Sequence, residues 1–233
     1  WAEAMMDTLL ADLRLWQGQL DDAHNLAEKA RARFRKLNDR FGLVQALAPL
    51  VRSQVAMGRT AASQRTSEEL LTLADTAANG PIPLMAAAGA AMHRGAAQTA
   101  LALTQRAIAM IQESGGLAFE TYIVLAMAHA QLGQLDEALA AIDEVPEHGR
   151  NHPFTHAVSA VVMAATRQPQ AAIEHADAVE HAHGATYLDQ VWAYLAAAGA
   201  AAQLGDDVRA ELAAQAAVAR AIAVGDVVAI RLA

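Results

Sequence analysis

A glycine followed five residues later by a small residue recurs along the chain at nearly even spacing, and few folds tolerate that pattern. Gly133 precedes Ala138 in HAQLGQLDEALAAIDEVP, and the same step occurs at Gly18–Ala23, Gly95–Ala100 and Gly205–Ala210. Two copies are degenerate. Gly58 is followed by Ser63 in place of alanine, and Arg167 precedes Ala172 with no glycine. The anchors at 18, 58, 95, 133, 167 and 205 lie 34 to 40 residues apart. A fixed period of this length marks stacked supersecondary units, each too small to bury its own apolar face. Composition selects helical units. Alanine, the strongest helix former, is about a quarter of the 233 residues, aromatics are 4%, and strand-type alternation is nearly absent.

Helix-like stretches flank every anchor. The predicted pairs are 2–17 with 20–37, 41–57 with 60–78, 82–94 with 97–113, 117–132 with 135–145, 153–166 with 169–182, and 185–204 with 207–223. Asn79-Gly80-Pro81, Ser114-Gly115-Gly116, His152-Pro153 and His183-Gly184 punctuate them. Pro153 and Pro169 suit first-turn positions, where no amide hydrogen bond is lost. Asp21, Asp22, Asp136, Glu137, Asp206 and Asp207 open second helices, where the macrodipole favours negative charge. Pro49 falls inside a predicted helix, so a kink or an early break is expected there.

At each joint, glycine ends the first helix in a left-handed conformation without a Cβ penalty. The small residue one turn later lets the two backbones cross closely, and a larger side chain would overpack the joint. Ala30, Ala107 and Ala217, seven positions further on, lie on the same face and should meet the next pair.

Leu125-Ala126, Gly133, Ala138 and Pro146 together resemble the tetratricopeptide repeat (TPR). Thr121–Val145 is the best copy, and Leu10-Ala11, Gly18, Ala23 and Ala30 form the next best. The large aromatic early in the first helix is kept only at Tyr122 and Tyr194, and all but one of the steps exceed 34 residues. Such long, degenerate, alanine-rich repeats are similar to the TPR-like regions of large bacterial, actinobacterial-type transcriptional regulators and signal-transducing ATPases. The resemblance implies an all-α, right-handed TPR-like superhelical solenoid of about six antiparallel helix pairs. The whole of 1–233 reads as one repeat domain, with units of about 1–38, 41–79, 81–115, 117–148, 152–184 and 185–224 and a partial seventh helix over 226–233. A start at Trp1 suggests a fragment of a larger protein.

The expected function is non-catalytic. No phosphate-binding Gly-Lys-Ser/Thr loop occurs, neither lysine follows a glycine, and cysteine is absent. No cofactor is expected. A formal charge of −8 argues against nucleic acid, and no apolar run is long enough for a membrane span. Six of the nine histidines fall between 148 and 183. His152 and His156 share a helical spacing, as do Asp177 and His181, with Glu174 on the latter face. That set suggests a metal site, but HExxH is absent, so loop histidines and a local Asp–His pair are the preferred reading and no metal is assigned. Lys29, Arg31, Arg33, Arg35, Lys36 and Arg40 spread around one helix rather than along a stripe, as on a solvated outer face.

In TPR arrays the first helix of each pair lines a concave groove. By that resemblance, the partner-binding positions are Leu15, Trp16, Arg52, Val55, Met85, Met92, His93, Ile123, Met127, Gln131, Phe154, Trp192 and Leu195. Asp12, Ala164, Ala165 and Gln203 occupy equivalent positions. The set is apolar and methionine-bearing, which suits an adaptable binding surface. Only Arg52 is available to clamp a terminal carboxylate, so the expected partner is a helical or extended apolar protein segment. Two alternatives stand beside this. Tight supercoiling would bury the same residues between repeats, or the concave pocket would take a small-molecule or peptide effector. Open solenoid ends imply capping by further sequence or pairing in a homodimer. The setting implied is a cytoplasmic signalling or transcription-regulating protein.

Overall fold

The computed structural model describes residues 1–74, 80–114 and 119–233, and among these it is helical with no strand. The helices are α1 (Ala2–Trp16), α2 (Leu20–Leu37), α3 (Arg40–Ala56), α4 (Thr60–Ala74), α5 (Ile82–His93), α6 (Ala97–Ser114) and α7 (Phe119–Gln131). They continue as α8 (Leu135–Asp143), α9 (Glu147–Arg150), α10 (Pro153–Ala165), α11 (Pro169–His181), α12 (Tyr187–Leu204), α13 (Asp207–Val224) and α14 (Val227–Leu232). The predicted ends hold to within a few residues wherever they are described. Asn79 and the Gly115-Gly116 separator lie outside the described residues.

Two compact units divide the chain: Trp1–Leu117 with Asp226–Val228, and Ala118–Gly225 with Ala229–Ala233. In the first, each helix from α1 to α6 packs on the next, and α3 also packs on α1 and on α5. In the second, α7 packs on α8, and α10 packs on both; α10, α11, α12 and α13 follow in order, with α10 also on α12. Each unit thus repeats one rule, in which a pair's first helix touches its own partner and the next first helix. This is a helical repeat-like fold.

The anchors explain why the rule holds. Gly18, Gly58, Gly95, Gly133 and Gly205 have φ between +68° and +79°. Arg167, the anchor without glycine, takes the same left-handed form at φ +58°. The residue after every anchor donates its amide to a carbonyl five residues back: Gln19 to Arg14, Arg59 to Gln54, Ala96 to Ala91, Gln134 to His129, Gln168 to Met163 and Asp206 to Ala201. All six bonds are 2.8–3.0 Å, the closing bond of a Schellman cap. The crossings are as tight as expected. Ala23, Ser63, Ala100, Ala138 and Ala172 are fully buried, as are Ala30, Ala107 and Ala217. Ala210 is only half-buried.

Pro49 departs from expectation. It lies inside α3, which runs unbroken from Arg40 to Ala56. Proline removes one helical hydrogen bond, but Val44, Leu47, Leu50, Val51 and Val55 around it form one core cluster with Leu70, Leu73, Ala86 and Ala90. Burial of that face offsets the local cost. Pro153 and Pro169 sit in the first turns of α10 and α11, as expected.

The turn geometry makes a paired prediction for denaturant unfolding. Gly133→Val, which forces a β-branched residue to φ +73°, should lower stability by roughly 1–2 kcal/mol. Arg167→Gly should raise it by roughly 1 kcal/mol, because it relieves the one left-handed anchor that carries a side chain.

Candidate partner-binding surface

Most of the thirteen sequence-derived positions are core. Leu15, Val55, Met92, His93, Ile123, Met127 and Trp192 are buried. Trp16 is 52% exposed, Gln131 is exposed, and Arg52, Met85, Phe154 and Leu195 are half-buried. The reason is small-residue packing. Alanine crossings draw the helices close, so a long side chain on a first helix is enclosed by its neighbours. The exposed part of the expected groove is therefore narrower than the pattern suggests.

In the first unit, Trp16 lies at the end of α1, Arg52 on α3 and Met85 on α5. Arg52 Nη2 is 3.7 Å from Asp12 Oδ1. Burial raises the Asp12 carboxyl above its ordinary 3.8, and the Arg52 guanidinium opposes that rise. Arg52 is thus part-neutralised by its own chain, which weakens it as a clamp for a foreign carboxylate.

In the second unit, Phe154 and Trp192 come together, with ring centroids 6.1 Å apart at 31°. Leu195 packs against Val191, Ala221 and Ala229. At the other ends of α10 and α12, Ala164, Ala165, Arg167, Pro169 and Gln203 line an open depression. Gln203 donates from Nε2 to the Ala164 carbonyl at 2.9 Å, tying α12 to the end of α10.

Four cations of the basic run, Lys29, Arg31, Arg33 and Arg35, are paired within the chain. Asp7 of α1 accepts from Lys29 at 3.2 Å and Arg33 at 2.6 Å, and Arg33 also reaches Glu3 at 3.1 Å. Glu69 of α4 binds Arg31 at 2.6 Å and Arg35 at 2.7 Å. Spacing alone showed that these cations were not a stripe. It gave no sign that Asp7 and Glu69 would be their partners, because both lie in neighbouring helices.

The histidines do not assemble as their spacing suggested. His152 caps α10, its Nδ1 accepting from the Phe154 amide at 3.2 Å. The His181 ring meets the Asp177 carbonyl rather than its carboxylate, which Arg209 holds at 2.7 Å. His156 and His175 form the pair that the sequence did not reveal, with Nδ1 atoms 2.9 Å apart across α10 and α11. Such a contact is a hydrogen bond when one ring nitrogen carries a proton and the other does not. Among the described residues, no group of three or more His, Asp or Glu is arranged to hold a metal ion.

A second missed residue is Asp226. It is fully buried, with Oδ2 3.2 Å from His93 Nε2 inside the first unit. The available signal was local: Gly225-Asp226 repeats Gly205-Asp206, a left-handed turn followed by a helix cap.

No family model matches the chain, and no curated protein matches it in sequence. Among solved structures it is similar to BtubC (BKLC) from P. vanneervenii, with a TM-score of 0.58 and 16% identity over 88% of this chain and 91% of that one. At that identity the likeness shows a shared helical fold.

Two outcomes test this geometry. Burial holds His175 and His156 below the ordinary 6.5, with each facing the other; for His175 the nearby Glu174 acts in the opposite direction. The unfolded chain therefore takes up protons first, and stability should fall as pH drops below 6.5. In urea titrations, His156→Gln/His175→Gln should show a shallower fall between pH 7 and pH 5.5, and an unchanged slope would remove the pair from the explanation. Asp7→Asn should cost about 1–2 kcal/mol by leaving Lys29 and Arg33 without their shared anion.

Proposed function

We propose that the chain is a degenerate TPR array, a right-handed superhelical solenoid of about six helix pairs. On this reading it serves as a non-catalytic protein-interaction module of a larger cytoplasmic signalling or transcription-regulating protein. The observation that carries the reading is the packing of α3 on α1 and on α5, and of α10 on α7 and on α12. Within each unit, first helices stacked in this way present a shared face, as a peptide-binding array requires. The accessible side chains, Trp16 and Met85 in the first unit and Phe154 and Leu195 in the second, are apolar, which favours a helical or extended apolar segment. Internal neutralisation of the α2 cations argues against nucleic acid as the partner. The effector-sensing alternative calls for an enclosed cavity, whereas the depression beside Gln203 is open.

A homodimer has separate support. Met6, Leu9, Leu13 and Trp16 form an exposed apolar stripe on α1, and Val208, Leu212 and Ile222 form another on α13. The α1 set follows the alternating three- and four-residue spacing of a helix–helix seam.

A displayed peptide library panned on the protein tests the main reading. It should enrich peptides with apolar residues at helical spacing, and Trp16→Glu with Met85→Glu should weaken their binding tenfold or more. Absence of enrichment, or binding indifferent to both substitutions, would reject it. For the dimer, Leu9→Glu/Leu13→Glu should shift the mass measured by light scattering to that of a monomer.

A further inference from the structure

After Gly225 the chain contributes three residues, Asp226–Val228, to the first unit. Each meets a different feature of that unit. The Asp226 carboxylate is fully buried against His93 at the end of α5, Oδ2 to Nε2 3.2 Å. Val227 lies over Gly58 in the turn between α3 and α4, where an added Cβ would come 3.3 Å from Val227 Cγ1. Val228 packs against the apolar cluster that contains Val51, Val55 and Ala90. Asp226 Oδ1 accepts from the Val228 amide at 2.9 Å, which holds the three residues as one turn.

These contacts amount to recognition of a short chemical pattern. A buried carboxylate is costly unless something polar lies beside it, and the His93 ring approaches this one to 3.2 Å without hydrogen-bond geometry. The glycine leaves room for a β-branched side chain, and the α3–α5 cluster takes a second one. Val55 and His93 are also two of the positions that the repeat pattern assigns to a partner. We propose that this seat is a recognition site for protein segments bearing a carboxylate followed by two β-branched apolar residues, and that Asp226–Val228 fills it as an internal competitor. The proposal rests on the groove reading above and narrows its partner class. An outside segment of the same chemistry competes with the tethered one, and its apparent affinity is reduced by the fraction of chains whose seat is occupied.

The test uses the full chain. Asp226→Lys/Val228→Glu evicts the internal segment, and circular dichroism checks that the helices remain. The probe is a fluorescein-labelled peptide with the sequence of residues 224–233, followed by anisotropy. It should bind the evicted chain at least tenfold more tightly than wild type, and adding His93→Ala should remove at least tenfold of that affinity. Equal binding to evicted and wild-type chains, or indifference to His93→Ala, overturns the proposal. Should eviction unfold the chain, wild type decides: saturating unlabelled peptide must speed hydrogen exchange at the Val228 amide, and unchanged exchange overturns it. Failure of the groove reading would leave the library unenriched. Failure of this proposal alone would leave enriched peptides that the 224–233 peptide does not displace.

Discussion

A left-handed turn closed by a bond five residues back, with a small residue at the crossing that follows, is the joint on which every helix pair depends. It occurs six times with nearly the same hydrogen-bond length. Its strength lies in the backbone, which is why Arg167 can stand where glycine stands elsewhere and still adopt φ +58°. Because the joint fixes how closely two helices cross, it also fixes how much room any first-helix side chain has. The alanine that makes the crossing possible encloses Ile123, Met127 and Met92.

Charge follows from the same closeness. Helices drawn together bring Asp7 and Glu69 within reach of four cations on α2, so the basic run is spent on holding α1, α2 and α4 in place. Partly buried pairs of this kind add little net stability but cost more when one partner is removed. A chain that uses its cations internally presents less positive surface to an anionic partner. The same closeness brings Asp12 Oδ1 to 3.7 Å from Arg52 Nη2 and Asp226 Oδ2 to 3.2 Å from His93 Nε2.

Apart from the one-turn α9, which the repeat pattern did not foresee, helix existence, order and ends were legible because they depend on local chemistry. Glycine at the left-handed position, proline in first turns and alanine at crossings each act within a few residues of where they stand. The unbroken α3 shows the limit of such reasoning. Pro49 should interrupt a helix in isolation, but the core cluster around it acts through Leu70 and Leu73 of α4 and Ala86 and Ala90 of α5, which lie far along the chain.

The partner-binding positions divide along the same line. Which side chains share a groove face was an expectation carried by the repeat resemblance; of them the sequence by itself determined only that they lie on first helices. It also determined that the chain is helical and repeat-built, because the period and the alanine content leave little else. Only the tertiary structure decided which of those side chains remain reachable, because burial depends on distances between helices that no local pattern encodes. It alone brought His156 to His175 and Asp226 to His93. The first of those pairs is separated by 19 residues and the second by more than half the chain.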